Sequence, residues 1–423
     1  MSAARLRRRC GPVFIMHKRS TLIAISSLLV CSMALASIAV SQARPGKHRG
    51  HGGALPSMGR EPKPSIFGID TGTYDSIPSH YAKDIPTARR LGARWDRIGL
   101  GSATGAGDFA TADYFIRRAR QHKMGVILTL GGIARACSLR PIPSTVRACP
   151  PTTAADLSAY RAYLQRVLLR YRHVVTYYES WIEANNHGKW QPAADPAAYA
   201  ALLKSDYTVF QAVNSRYHLH LKLLFGSLIS FGTAPHSHGS LAVLPFAQRV
   251  LEDLHGQRPF DGITLHAYRF PAGKAGPDRP ECDYVGGVAV KQGHDTPNCP
   301  TPNWRLLTWP QELQAYEQEF SNHGYGDLPL WLTEFGWPGA AQPDAPTVAD
   351  DTTQARYLRE AYRDLLGLPF VQGALWFNLR DYRPGVKTPD PASFYHYGLL
   401  NYGYSEKSAA ADFKALARAN PGR

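Results

Sequence analysis

Short apolar runs recur along the chain from residue 65 onward: SIFGID (65–70), WDRIGL (95–100), GVILTL (125–130), VVTYYESWIE (174–183), LKLLFGS (221–227), GITLHAY (262–268), PLWLTE (329–334) and GALWFNL (373–379). Runs of this length with little polar alternation read as strands buried on both faces. Between them lie segments with helical spacing of apolar positions, such as 153–171 and 350–366. Eight strands, each followed by a helix, in about 360 residues predict βαβ units that close into one (β/α)8 TIM barrel, an α/β fold with long βα loops. An open, doubly wound sheet is the alternative, but no GxGxxG follows the first strand.

The first 64 residues have a different pattern. Six cations from Arg5 to Arg19 precede an apolar stretch from Thr21 to about Val40, and the small residues Ser41 and Ala43 follow. That order reads as a signal peptide over 1–43, or as a signal anchor if it is not cleaved, since ~20 apolar residues span a bilayer. Residues 44–64, rich in Gly, Pro and cations, read as a flexible basic linker ahead of a 65–423 barrel domain. This division changes the meaning of the net charge. Of the formal +15, residues 1–64 carry 11 Lys/Arg and one acid, or +10, which leaves +5 for the rest. No nucleic-acid partner is expected for the body.

Beyond the leader, four cysteines fall as two local pairs, Cys137 with Cys149 and Cys282 with Cys299. Three pairings are open; locality predicts these two as disulfides that staple long loops of an exported protein. Neither pair has C-x-x-C spacing, and the His236/His238 pair lacks placed carboxylates, so no metal and no cofactor are expected. The expected location is secreted or at the cell envelope, with membrane contact only through an uncleaved leader, and the expected state is a monomer.

Barrel chemistry is built at the carboxyl ends of the strands. There the sequence places Asp70, Arg97, Glu183, His266, Tyr268, Glu334, Trp376 and Asn378. Each alone has a packing explanation, as an ion pair, a polar core residue or a barrel plug. Packing does not call for so many polar groups at one end of a sheet, so the set reads as a functional rim. Trp190, Trp304, Trp309, Trp337 and Trp376 fall on or near rim loops, where indole faces stack on the C–H faces of sugars, whereas Trp95, Trp181 and Trp331 are expected in the core.

Two of these strand ends carry a resemblance. WIEANN (181–186) resembles the WNEPN segment that ends the fourth barrel strand of clan A glycoside hydrolases, notably families 39 and 5, and LWLTEFGW (330–337) resembles their strand-7 nucleophile segment. RIGL at Arg97, HAY at 266–268, and ALWFNLRD followed by YGLL extend it from residue 65 to about 405. The resemblance implies a retaining glycosidase acting on a poly- or oligosaccharide, with Glu183 as acid/base and Glu334 as nucleophile. It implies that Arg97 and Tyr268 keep the nucleophile ionised, with His266 in support, and that Trp376 floors a sugar subsite. Retention requires one protonated and one ionised carboxyl about 5–5.5 Å apart. The charge of Glu334 and partial burial are expected to keep a proton on Glu183. Glu179, two pleats deeper on the same strand face, reads as a buried structural carboxylate.

Where the family has Asn before the acid/base, this chain has Ile182, and Ala184 replaces the following Pro. Isoleucine offers no hydrogen bond to a sugar 2-hydroxyl, a contact that Asn185 or Asn186 would have to supply from the loop. The expected substrate-binding set is Asp70, Asn185, Trp190, Trp337, Trp376 and Asn378. A barrel that binds glycan at the cell wall without cleaving it is the alternative. The presence of both glutamates with Arg97 favours catalysis, since a binder has no use for two mutually repelling carboxylates. A barrel phosphodiesterase would need metal-binding Asp/His sets that the sequence lacks.

Overall fold

Eight parallel strands close a barrel in the computed structural model, which describes residues 53–71, 78–100, 109–131, 150–229, 239–269, 276–294, 299, 303–340, 350–383 and 396–423. Cys137, Cys149, His236, His238 and the leader lie outside these residues. The strands in chain order are β1 (Gly68–Asp70), β2 (Trp95–Gly99), β3 (Gly125–Thr129), β4 (Tyr177–Ile182), β5 (Lys222–Ile229), β6 (Gly262–His266), β7 (Glu281–Tyr284), β8 (Trp304–Leu307), β9 (Leu330–Phe335) and β10 (Val371–Phe377). The barrel order is β1-β10-β9-β6-β5-β4-β3-β2, and β7 and β8 form a separate antiparallel pair. All eight barrel strands coincide with apolar runs read from the sequence. The β7–β8 pair was not foreseen; it lies between β6 and the next helix, and the expected Cys282–Cys299 disulfide ties it to the segment before β8.

A helix follows every barrel strand: α1 (Pro78–Leu91), α2 (Ala110–Gln121), α3 (Ala154–Tyr171), α4 (Pro196–Tyr217), α5 (Val243–Leu254), α6 (Trp309–Asn322), α7 (Asp351–Gly367) and α8 (Ser408–Ala419). Their starts are written in the sequence. The side chains of Thr153, Asp195 and Asp350 accept from the backbone N–H groups of Asp156, Ala198 and Thr353, caps that contribute about 1 kcal/mol each. The apolar face of α5, built from Leu244, Phe246, Ala247, Val250, Leu251 and Leu254, is buried. No helix among the described residues is long and apolar enough to cross a membrane.

The barrel interior is filled at one level by Trp95, Ile127, Leu224, Trp331 and Leu375, with Tyr177 packed against them. Trp95 and Trp331 meet edge to face with ring centroids 5.1 Å apart. Two glycines make room for these rings. A Cβ at Gly125 would lie 2.5 Å from the Trp95 ring, and one at Gly373 would lie 2.1 Å from the Trp331 ring.

One expectation is corrected at the other end of the chain. Residues 53–64, read as flexible linker, lie along the barrel: Leu55 is 2% exposed and its N–H donates to the Arg170 carbonyl. The Lys63 carbonyl accepts from Trp95 Nε1 at 2.9 Å, and the Gly59 carbonyl accepts from Arg120. Leu55 and the partly buried Met58 anchor the segment, and its carbonyls, outside any helix or strand, are open to these donors.

The plug makes a stability prediction. Gly373→Ala forces a methyl against Trp331 and should cost about 1–3 kcal/mol as overpacking, read as a lower urea midpoint with unchanged slope. An unchanged midpoint would show that the plug has room to spare.

Candidate active site

Above the plug, the inward positions turn polar. Arg97 stands two residues beyond Trp95, Thr129 two beyond Ile127, and Glu179 two beyond Tyr177. A strand's two-residue period puts each on the face of the plug residue beneath it. Arg97 binds three carboxylates. Its Nε donates to Glu179 Oε2 at 2.9 Å, with Nη2 also 2.9 Å from that oxygen. Its Nη1 donates to Glu334 Oε1 at 2.6 Å and to Asp70 Oδ2 at 3.4 Å. Glu179 is fully buried and accepts from the hydroxyls of Thr129, at 2.8 Å, and Thr333, at 2.7 Å. The second oxygen of Glu334 accepts from the Tyr268 hydroxyl at 2.9 Å.

Glu183 follows β4 where the strand's regularity breaks. Trp181 has φ 63° and Glu183 φ 48°, left-handed values that cost a non-glycine residue about 1–3 kcal/mol. The Trp181 ring packs on Tyr160 of α3 and on Trp190, while the Glu183 N–H is held by the Ser227 carbonyl of β5 at 2.6 Å. The carboxylate reaches His266, whose Nδ1 lies 2.9 Å from Oε1, and its Oε2 accepts from Asn186 Nδ2 at 3.3 Å. His266 is fully buried, and its Nε2 lies 3.4 Å from Glu334 Oε1. One imidazole therefore stands between the two carboxylates. Glu183, His266 and Glu334 bring one donor atom each within 4.8 Å of the others. These are donor types that also serve metals, yet here Arg97 and Tyr268 already hold the oxygens of Glu334, and His266 Nδ1 and Asn186 those of Glu183.

Electrostatics corrects a second expectation. Burial alone would push the Glu183 carboxyl up, but the His266 hydrogen bond and charge, helped by Lys189 and Arg97, outweigh it and bring it from 4.5 to about 2. Glu183 in the resting site thus ionises readily instead of holding a proton against the charge of Glu334. Burial of Glu179 is likewise outweighed, by Arg97, His266 and the two threonine hydroxyls, so its carboxyl is held below the usual range. Burial would lower Arg97, and Glu179, Glu334 and Asp70 more than reverse that. Burial, reinforced by Glu334, pushes the Tyr268 phenol well up, so it stays a neutral donor.

The structure brings Asp70, Arg97, Glu183, His266, Tyr268 and Glu334 together and places the other expected residues differently. Asn185 is fully buried and spends its amide on backbone: Nδ2 donates to the carbonyls of Ile229 and Leu241, and Oδ1 accepts from the Ile229 N–H. It clamps loops and does not face a sugar. Trp190 is buried against Trp181 and Tyr199, and Trp337 against Trp309 and Tyr357, because the loops that carry them fold back onto the helices. Trp309 is also buried, and Trp304 sits half-buried on β8, edge-on to Tyr284. Trp376 is corrected by one residue. Leu375 belongs to the plug, so alternation turns Trp376 toward Phe335 and Trp337, and Phe377 becomes the inward aromatic, edge-on to Tyr268 and Tyr397. The period-two signal for Phe377 was present in the sequence. Asn378 is fully buried, and its side-chain amide has no hydrogen-bond partner among the described residues.

A pH prediction follows from the depressed Glu183 carboxyl. Its contribution to stability is present above pH 4.5 and lost as pH falls toward about 2. Urea unfolding across that window should show wild-type stability falling more steeply than that of His266→Leu. Equal slopes would mean that His266 is not the group holding Glu183 ionised.

No family model and no curated protein matches this sequence. Solved structures do match. A family 39 glycoside hydrolase from the gut symbiont Bacteroides cellulosilyticus WH2 superposes with a TM-score of 0.57 at 21% identity, covering 84% of this chain and 64% of its own. A monomeric β-xylosidase from Caulobacter crescentus CB15 gives 0.54 at 17% identity, over 84% of this chain and 69% of that one. A family 39 enzyme from Xanthomonas axonopodis pv. citri gives 0.54 at 17%, over 85% and 68%. This chain thus spans about two-thirds of the length of these neighbours. At such identities the likeness is one of fold: the chain has the (β/α)8 barrel that clan A glycoside hydrolases use, the fold its strand-end motifs resemble.

Proposed function

We propose that the protein is an exported glycoside hydrolase that cleaves an O-glycosidic bond with retention, using Glu334 as nucleophile and Glu183 as acid/base. The observation that carries this reading is the carboxylate pair, with oxygens of Glu183 and Glu334 within 4.8 Å of each other across the barrel mouth. Retaining enzymes hold the two groups about 5–5.5 Å apart, and inverting ones leave about 6.5–9.5 Å for a water. The surroundings suit two different jobs. Arg97 and Tyr268 hold both oxygens of Glu334, fixing that carboxylate beneath the anomeric carbon. Glu183 shares the His266 nitrogen, and the proton given to the leaving oxygen is drawn from that pair. After the aglycone leaves, the same pair takes a proton from the attacking water, and the glycosyl–Glu334 ester is hydrolysed. Phe377, Tyr268 and Tyr397 pack edge-on to one another on the inward aromatic side of the site. The apolar leader and the Cys282–Cys299 disulfide support export.

The test is hydrolysis of a panel of aryl glycosides by the purified protein, headed by a β-xyloside because one neighbour of like fold carries that activity in its name. Glu334→Ala should abolish turnover on every substrate. Glu183→Ala should be severe for poor leaving groups and mild in the glycosylation step for an acidic phenol, which departs unprotonated. Equal losses on both classes would overturn the role assignment, and glycan binding without any hydrolysis would overturn the enzyme.

Ile182 bears on the sugar. With Asn185 committed to backbone and isoleucine unable to donate, the site should discriminate poorly between a glycoside and its 2-deoxy analogue. A loss in kcat/KM above roughly a hundredfold, after correction for the intrinsic lability of the deoxy sugar, would mean that another donor such as Asn186 makes the contact.

A further inference from the structure

We propose that Glu179, which touches no substrate, is a positioning residue of this site: by clamping one edge of Arg97 it aims the opposite corner of the guanidinium at Glu334. The proposal rests on Glu334 being the nucleophile. Its basis is the shape of the guanidinium. That group is planar and rigid, so fixing its Nε/Nη2 edge fixes the direction of Nη1. Glu179 Oε2 holds that edge at 2.9 Å from both nitrogens, and Nη1 on the far corner donates to Glu334 at 2.6 Å.

Glu179 is itself fixed from three strands. Its backbone belongs to β4, its Oε2 takes the Thr129 hydroxyl from β3, and its Oε1 takes the Thr333 hydroxyl from β9. Thr333 directly precedes Glu334 in the chain, so one anchor of the clamp and its target are carried on one strand. The apolar plug lies beneath, and Glu179 has no exposed surface, so water cannot take over either role. If the task were only to balance a buried arginine, Asp70 and Glu334 would already supply two charges. The third carboxylate adds direction. It also adds negative charge beneath a site where Asp70, Glu183, His266 and Glu334 face one another and where the phenols of Tyr199 and Tyr316 sense it from α4 and α6.

The test uses the full chain and an aryl glycoside that the wild type cleaves. Glu179→Gln keeps the volume and can still accept from Arg97, but removes the charge that grips it. It should lower kcat by about tenfold or more with KM within about threefold, the split expected when a transition-state interaction is lost. Both limbs of its kcat/KM profile should move to lower pH, because losing a negative charge eases deprotonation of the groups around it. Glu179→Asp keeps the charge but shortens the reach. It should lose kcat while its limbs stay in place, a separation that a purely structural role would not produce. Thr333→Val retains every charge and removes one anchor of Glu179, and should lower kcat several-fold at unchanged KM; it keeps the proposal testable if Glu179→Gln fails to fold. Wild-type kcat and pH limbs in Glu179→Gln would overturn the proposal, as would wild-type kcat in Thr333→Val beside an unfolded Glu179→Gln. A wild type that cleaves nothing in the panel would instead overturn the parent reading, and this proposal with it.

Discussion

The site depends on one guanidinium buried among carboxylates. Arg97 is 6% exposed and meets Asp70, Glu179 and Glu334 within 3.4 Å. Ionised groups taken out of water are costly unless they are paired and their remaining hydrogen-bonding capacity is met. Here neutral donors, the hydroxyls of Thr129, Thr333 and Tyr268, complete the surroundings of Glu179 and Glu334, while Arg97 Nη2 stands 2.9 Å from Glu179 Oε2 without a hydrogen bond of its own among the described residues. Remove Arg97 and carboxylates from three strands would face one another unpaired; keep it, and the same charges become one fixed frame around Glu334.

That frame needs a floor and a wall. The floor is the plug of Trp95, Ile127, Leu224, Trp331 and Leu375, which fills the barrel below Glu179. Glycines at 125 and 373 admit its two indoles, and residues 53–64 approach from the far end, where Lys63 takes the Trp95 N–H. The wall is the end of β4. Left-handed backbone at Trp181 and Glu183 stores strain beside the carboxylate pair, and packing of Trp181 on Tyr160 and Trp190 with the Ser227 bond holds it in place.

His266 links the halves of the site. Its Nδ1 lies 2.9 Å from Glu183 Oε1 and its Nε2 3.4 Å from Glu334 Oε1, so one imidazole fills the space between the two carboxylates.

The sequence by itself determined the barrel and the identity of the residues at its mouth. Parallel strands covered on both faces must be apolar throughout, so eight runs were visible without any long-range information. Polar residues at the ends of such runs then had to share one rim, which collected Arg97, Glu183, His266, Tyr268 and Glu334. Tertiary structure decided what linear spacing does not encode. Barrel closure put His266 between a glutamate just after β4 and one on β9 and lowered the proton affinity of Glu183. Loops folding back onto helices buried Trp190 and Trp337, which chain position alone had put at the rim. The shared register of the plug turned Phe377, and not Trp376, to the interior. Asn185 was drawn off to clamp backbone groups of Ile229 and Leu241, far away in sequence. Periodicity reports which face of an element a residue occupies, whereas hydrogen-bond partners and charge states depend on which other elements arrive at that face, and only the closed barrel brings those together.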